Sequence, residues 1–263
     1  MSAIFNMAEK SAEFDKLANI PKDLLKYLRN VHEGNVDEPL GRAMCKPEWK
    51  DTLQKIDKLF AKVSKVMGLV PEEICLEYEF KTNDTGLGKI DAFLAELRFA
   101  VWLDWMGFHD IKRVPSGNGP KPDFHAKRGK HCYYAEVFCI TTDNPSARQI
   151  EPALVLPSRK GISPVYNFTV IKKHLHEAFL TRVQAKKRQL KDVGSADSHR
   201  IVAGVVNPLR YITFGEQTNY RDILQSIHDV LRWGSGWHFA LITGYDSNGI
   251  PDDTVYPPLE DNK

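Results

Sequence analysis

The chain has 263 residues, 42% hydrophobic and 27% charged, with 36 lysines and arginines against 34 aspartates and glutamates. That is enough apolar material for a substantial core, and so little net charge that any electropositive surface must come from local clustering. No apolar run approaches the roughly 20 residues that span a bilayer.

The N-terminus lacks the basic-then-apolar pattern of a leader. Cys45, Cys75, Cys132 and Cys139 form neither a CxxC pair nor a disulfide framework. A soluble, cytoplasmic protein with no membrane partner is the simplest expectation. Apolar residues at helical spacing mark 10–18, 22–32 and 47–67, and in the last of these Leu53, Ile56, Phe60, Val63 and Met67 fall on one face. Pro71-Glu72-Glu73 opens a further short helix or an extended segment. TNDTGLG (82–88) reads as a loop and closes an N-terminal helical region, 1–88. A strongly apolar helix follows over 90–105, ended by Gly107. Strands are expected at 108–114, 123–127 and 131–141, the last two joined by the basic turn Arg128-Gly129-Lys130. The stretch 143–164 reads as a loop or insertion. A helix over 168–192, a strand over 200–207, a helix over 220–233 and a strand over 237–244 complete the pattern, and the tail, 246–263, is expected to be irregular. This order predicts an α/β core over 89–245, a mixed central sheet flanked by helices with part of it antiparallel.

Three carboxylates are out of place. Glu96 lies in the most apolar helix, on a face with Phe93, Ala100 and Leu103. A carboxylate there is expensive to bury unless it is paired or faces a metal; a salt bridge to an arginine is the alternative. Asp123 follows a proline at a strand start, and Glu136 stands among large apolar neighbours in YYAEVFCI, where strand propensity is high. A hairpin register that sets these two side by side requires a cation, or one protonated carboxyl. Mg²⁺ suits such a place, because it takes hard oxygen ligands and often only one or two protein carboxylates. A solvated strand-start aspartate and an outward-facing glutamate on an edge strand are the alternatives.

A helix bearing a glutamate, then Gly107-Phe108 and a strand, then Pro122-Asp123, then Glu136 in the next strand, resembles the PD-(D/E)XK nuclease superfamily. With the helix and strand that follow, the resemblance spans about 89–244. It implies a restriction-endonuclease-like core in which Asp123, Glu136 and the Val137 carbonyl ligate Mg²⁺ or Mn²⁺. Glu96 would bind the ion directly or through water, and the chemistry would be phosphodiester hydrolysis, of DNA for most members. Where the pattern has a lysine two residues after the glutamate, this chain has Phe138. Lys186 and Lys187, followed by Gln189 and Leu190, resemble the residues that some members lend to the site from a helix. Lys127, which shares a strand face with Asp123 and His125, is the other substitute.

Lys172, Lys173, Arg182, Lys186, Lys187, Arg188 and Lys191 crowd one helix, and Lys112, Arg113, Lys121, Lys127, Arg128 and Lys130 surround the hairpin. Lys121, Lys127, Arg128, Lys130, Arg188 and Lys191 are the expected contacts to a nucleic-acid backbone, with salt-sensitive binding; ordinary solubility decoration is the alternative. A homodimer is a further arrangement that the resemblance brings, and the N-terminal helices would contact substrate, a partner or that second subunit. Two other readings stand beside the nuclease. One is a catalytically inactive nuclease-fold module that binds nucleic acid or a protein partner; the other is an interaction domain whose acids are merely paired.

Overall fold

The computed structural model describes residues 13–33, 49–81, 89–115, 117, 121–140, 168–195, 197–206, 220–242 and 255–259. The elements are α1 (Lys22–Glu33), α2 (Trp49–Met67), α3 (Pro71–Glu77) and α4 (Lys89–Trp105), then β1 (His109–Arg113), β2 (Phe124–Arg128) and β3 (His131–Ile140). After these come α5 (Phe168–Leu190), β4 (His199–Val206), α6 (Tyr220–Leu231), β5 (Trp237–Ile242) and β6 (Val255–Tyr256). The expected loops at 82–88 and 143–164 lie outside the described residues.

Local chemistry explains the helices. Pro71 occupies the first turn of α3, where its missing N–H is no loss, and the Val70 N–H donates to Glu73 Oε2 at 2.9 Å. Leu53, Ile56, Phe60 and Val63 form the buried stripe of α2. Along α4 the burial goes nearly all round, from Ile90 to Leu103, because the helix is covered by α2 on one side and by the sheet on the other. It stops at Gly107, whose φ of +79° suits a residue without Cβ. The Phe108 N–H returns to Leu103 O at 3.0 Å and the Gly107 N–H to Asp104 O at 3.0 Å, satisfying two terminal carbonyls.

Among the described residues one six-stranded mixed sheet runs in the order β1-β2-β3-β4-β5-β6. The pairs β1/β2, β2/β3 and β5/β6 are antiparallel, and β3/β4 and β4/β5 are parallel. Side chains alternate across it. Tyr133, Ala135, Val137 and Cys139 join the core beneath α4, whereas Phe138 and Ile140 join a second core with Phe179, Val183 and Leu190 of α5 and Ile223, Leu224 and Ile227 of α6. Helices therefore flank both faces.

One sequence expectation changes. The tail expected to be irregular supplies β6, with Val255 opposite Ala240 and Tyr256 opposite Phe239. The N-terminal helices share a core with the sheet: Leu24, Leu28, Phe60 and Ile74 belong to the same cluster as Phe99 and Phe124. Among the described residues no helix is long and apolar enough to cross a membrane.

Candidate functional site

Asp123 is fixed by its backbone before its side chain acts. Its N–H donates to Ala135 O at 2.8 Å and its carbonyl accepts from Val114 N at 2.9 Å, so it continues the ladders on both sides of β2. The β2/β3 ladder ends at Phe124 opposite Ala135, which leaves the next inward-facing amide of β3, that of Val137, without a strand partner on that side. The Asp123 carboxylate takes its place: Oδ2 accepts from Val137 N at 2.7 Å. Because the N–H and C=O of one strand residue point the same way, the Val137 carbonyl faces this edge too.

Glu136 projects from the neighbouring position to the other face of β3, and its side chain is fully buried. From α5, Lys186 Nζ reaches Glu136 Oε2 at 2.5 Å and stands 3.9 Å from Asp123 Oδ2. Glu136 Oε1 is buried and has no hydrogen-bond partner among the described residues. Burial, and then the Asp123 charge beside it, push the Glu136 carboxyl above its ordinary range; Lys186 acts in the opposite direction.

Glu96 approaches from α4. Its Oε2 accepts from Arg113 Nε at 3.0 Å, so the arginine salt bridge raised as an alternative for this residue is present. The same guanidinium donates from Nη1 to Glu77 O at 2.8 Å and lies 5.3 Å from the centre of the Tyr78 ring. Glu96 is nevertheless pushed up to about 7, by burial first and by the Asp123 charge second, with Arg113 and Lys186 opposing. Glu96, Asp123, Glu136 and Lys186 thus share one electrostatic neighbourhood.

The expected substitutes for the missing strand lysine separate cleanly. Lys186 is at the carboxylates. Lys187 is not: its ammonium lies over the Trp233 ring, 4.4 Å from the centroid. Lys127 is bound to Asp110 at 2.9 Å, beside a bulge of β1 where Asp110 takes a positive φ of 52°. Phe138 packs edge-on against Phe179, 5.1 Å between centroids.

The expected phosphate contacts are scattered. Lys121 is exposed two residues before Asp123. Arg128 sits at the opposite end of the β2–β3 hairpin, roughly 17 Å along the strand from Asp123 at about 3.3 Å per residue, and Lys130 lies in the turn beyond it. Arg128 Nε there donates to Met106 O at 3.1 Å. Lys127, Arg128 and Lys130 thus lie toward the turn end of the hairpin, and Asp123 lies at its other end. Arg188 and Lys191 are exposed near the C-terminal end of α5. Sequence reasoning counted Arg113 and Arg182 only as surface charge. Arg113 stands opposite Phe124, next to Asp123, and Arg182 lies one helical turn before Lys186; those two positions were the available signal.

Among the described residues no group of three or more histidine, cysteine, aspartate or glutamate side chains is arranged to hold a metal ion. The oxygens of Asp123, Glu136 and the Val137 carbonyl are nonetheless hard donors, and the buried Glu136 Oε1 has a lone pair to give. Such a set fits an ion that keeps most of its waters and takes one or two protein carboxylates, as Mg²⁺ does. Glu96 is held by Arg113 and would act at the edge of that set. No protein-family model, no curated protein and no solved structure matches this chain.

Proposed function

We propose that this chain is a Mg²⁺- or Mn²⁺-dependent nuclease that hydrolyses phosphodiester bonds in DNA on a restriction-endonuclease-like core. The observation that carries the reading is Lys186, which reaches from α5 to within 2.5 Å of Glu136 and 3.9 Å of Asp123. A carboxylate pair, with Glu136 buried and Asp123 partly exposed, beside a lysine is the constellation that the PD-(D/E)XK pattern implies, and here the lysine comes from a helix where Phe138 stands in the strand. Asp123, Glu136 and the Val137 carbonyl would hold the ion, with Glu96 beside them. The bound ion would supply an acidified water and charge neutralisation on the phosphate. Lys186 would orient that water and offset negative charge growing on the phosphate oxygens. Asp123, tied to the Val137 amide, keeps its remaining oxygen directed by the strand edge and not by a free rotamer.

Phe138 favours a second reading, a nuclease-fold module that binds nucleic acid without cutting it. Purified protein incubated with plasmid and linear DNA in Mg²⁺ or Mn²⁺, beside an Asp123→Ala control, decides between them. Cleavage by the wild type alone supports the nuclease. Cleavage that survives in the control would sink the site, and salt-dependent binding without cleavage would select the second reading.

A further inference from the structure

β3 has an open edge beyond Ala135, because β2 has ended and residues 136–140 pair with β4 alone among the described strands. Asp123 takes the first inward-facing group of that edge, the Val137 amide. Arg182 of α5 takes the next: its Nη1 donates to Cys139 O at 3.0 Å. The guanidinium lies over the Phe138 ring, 5.9 Å from its centroid, and the ring itself is buried against Phe179. Arg182 is exposed and has no carboxylate partner among the described residues. Lys186 follows it by four residues, so the two cations stand one above the other on one helix face, their Cβ atoms about 5–6 Å apart.

We propose that Arg182, seated on the Phe138 ring, binds the DNA phosphate adjacent to the scissile one. This rests on the nuclease reading above and extends it. Asp123 and Glu136 stand side by side, with Glu96 in the same electrostatic neighbourhood, and such acids repel a polyanion unless cations stand beside them. Lys186 is engaged with Glu136, so on this face of α5, among the described residues, Arg182 is the cation with capacity to spare. Cys139 O uses one of the five guanidinium donors; the others have no partner among the described residues and can grip two phosphate oxygens at once. The aromatic face underneath fixes the plane of the fork and lowers the entropy lost on binding. Phe138 thus has a task of its own: it carries the arginine that handles substrate charge, while Lys186 handles the carboxylates. Two side chains of α5 divide what one strand lysine does in the pattern that the chain resembles.

The test uses the full chain and a fluorescein-labelled DNA duplex in Ca²⁺, with affinity measured across a salt series. Wild type, Arg182→Ala, Arg182→Lys and Phe138→Leu are compared, and Mn²⁺ affinity is measured on each. Arg182→Ala should weaken duplex binding about tenfold and lower the slope of log affinity against log salt by about 1, the loss of one phosphate contact. Arg182→Lys should keep the slope while binding more weakly, and Phe138→Leu should fall between wild type and Arg182→Ala. Mn²⁺ affinity should match wild type throughout, which also shows that each variant is folded. If Arg182→Ala does not fold, Arg182→Gln is measured in its place against the same expectation. Wild-type slope and affinity in the alanine or glutamine variant, with wild-type cleavage intact, overturn this inference alone. A wild type that neither binds nor cuts DNA overturns the nuclease reading and this inference with it.

Discussion

Lys186 donates to Glu136 at 2.5 Å across the contact between α5 and β3, while its chain neighbour Lys187 stacks on Trp233. The two ammonium groups leave the helix about 100° apart, since an α-helix has about 3.6 residues per turn. The packing of Phe179, Val183 and Leu190 decides which of them faces the sheet. That relationship separates two adjacent lysines in position, one at the carboxylates and one on an aromatic ring.

Lys186→Ala is expected to lower DNA cleavage in Mn²⁺ by about 100-fold or more, the usual loss when one preorganised charge is removed from a site. Lys187→Ala should leave the rate within a few-fold of wild type. Initial rates on a labelled duplex measure both, and equal losses in the two variants would remove Lys186 from the site.

Arg113→Ala should destabilise the fold. The side chain is 8% exposed and binds Glu96 and the last turn of α3 together. Glu96 is partly exposed, so removing its buried partner should cost about 1–3 kcal/mol when the carboxylate is charged, toward or below the low end for a fully buried pair. At pH 8 Glu96 is ionised and the full loss applies; at pH 5 it is protonated and the loss shrinks. Denaturant unfolding at the two pH values checks this, and equal losses at both would contradict the role assigned to Glu96.

Much of this was legible in the sequence. The uniform apolarity of α4 marked it as a helix covered on all sides, and Glu96 stood out against it. The short basic turn fixed the β2–β3 hairpin and so set Asp123 beside Glu136. The stripe Phe179, Val183, Leu190 already placed position 186 inward and 187 to one side, so this choice was available in the helical period. Other features were not. β6 is two residues long and is held by pairing with β5, which no local pattern announces. The Arg113–Glu96 bond depends on how α4 crosses the sheet. The displacement of Arg128 and Lys130 follows from strand direction, to which charge counting along the sequence is blind.

The pH dependence of stability carries the signature of Glu96. Its folded carboxyl sits at about 7 against an ordinary value of 4.5, so the native state holds more protons than the unfolded state between those values. Stability therefore falls as pH rises from about 5 to about 8. At about 1.4 kcal/mol per unit, the contribution is on the order of 3 kcal/mol. Glu136, also raised by burial, adds a fall of the same sign, so Glu96→Gln should reduce the slope without abolishing it. Unfolding free energies at four pH values test it, and an unchanged slope in the variant would assign the pH dependence elsewhere.

Gly204 lies on β4 under α5. A Cβ there would stand 2.8 Å from two carbons of the Phe179 ring and 2.9 Å from Ile140 Cδ1. Gly204→Ala should cost about 1–3 kcal/mol by overpacking. It should also lift α5 and part Lys186 from Glu136, so cleavage should fall along with the thermal midpoint. A variant as stable and as active as wild type would show that α5 yields without moving its lysine.

The most direct test of the central claim is calorimetric titration of Mn²⁺ into the wild type, Asp123→Asn and Glu136→Gln at pH 8. The account predicts one Mn²⁺ per chain in the wild type. In either variant the affinity should fall further than the roughly 10–100-fold that loss of a supporting residue costs. Mn²⁺ bound equally well by all three proteins would contradict it, as would a wild type that binds no Mn²⁺ and still cuts DNA.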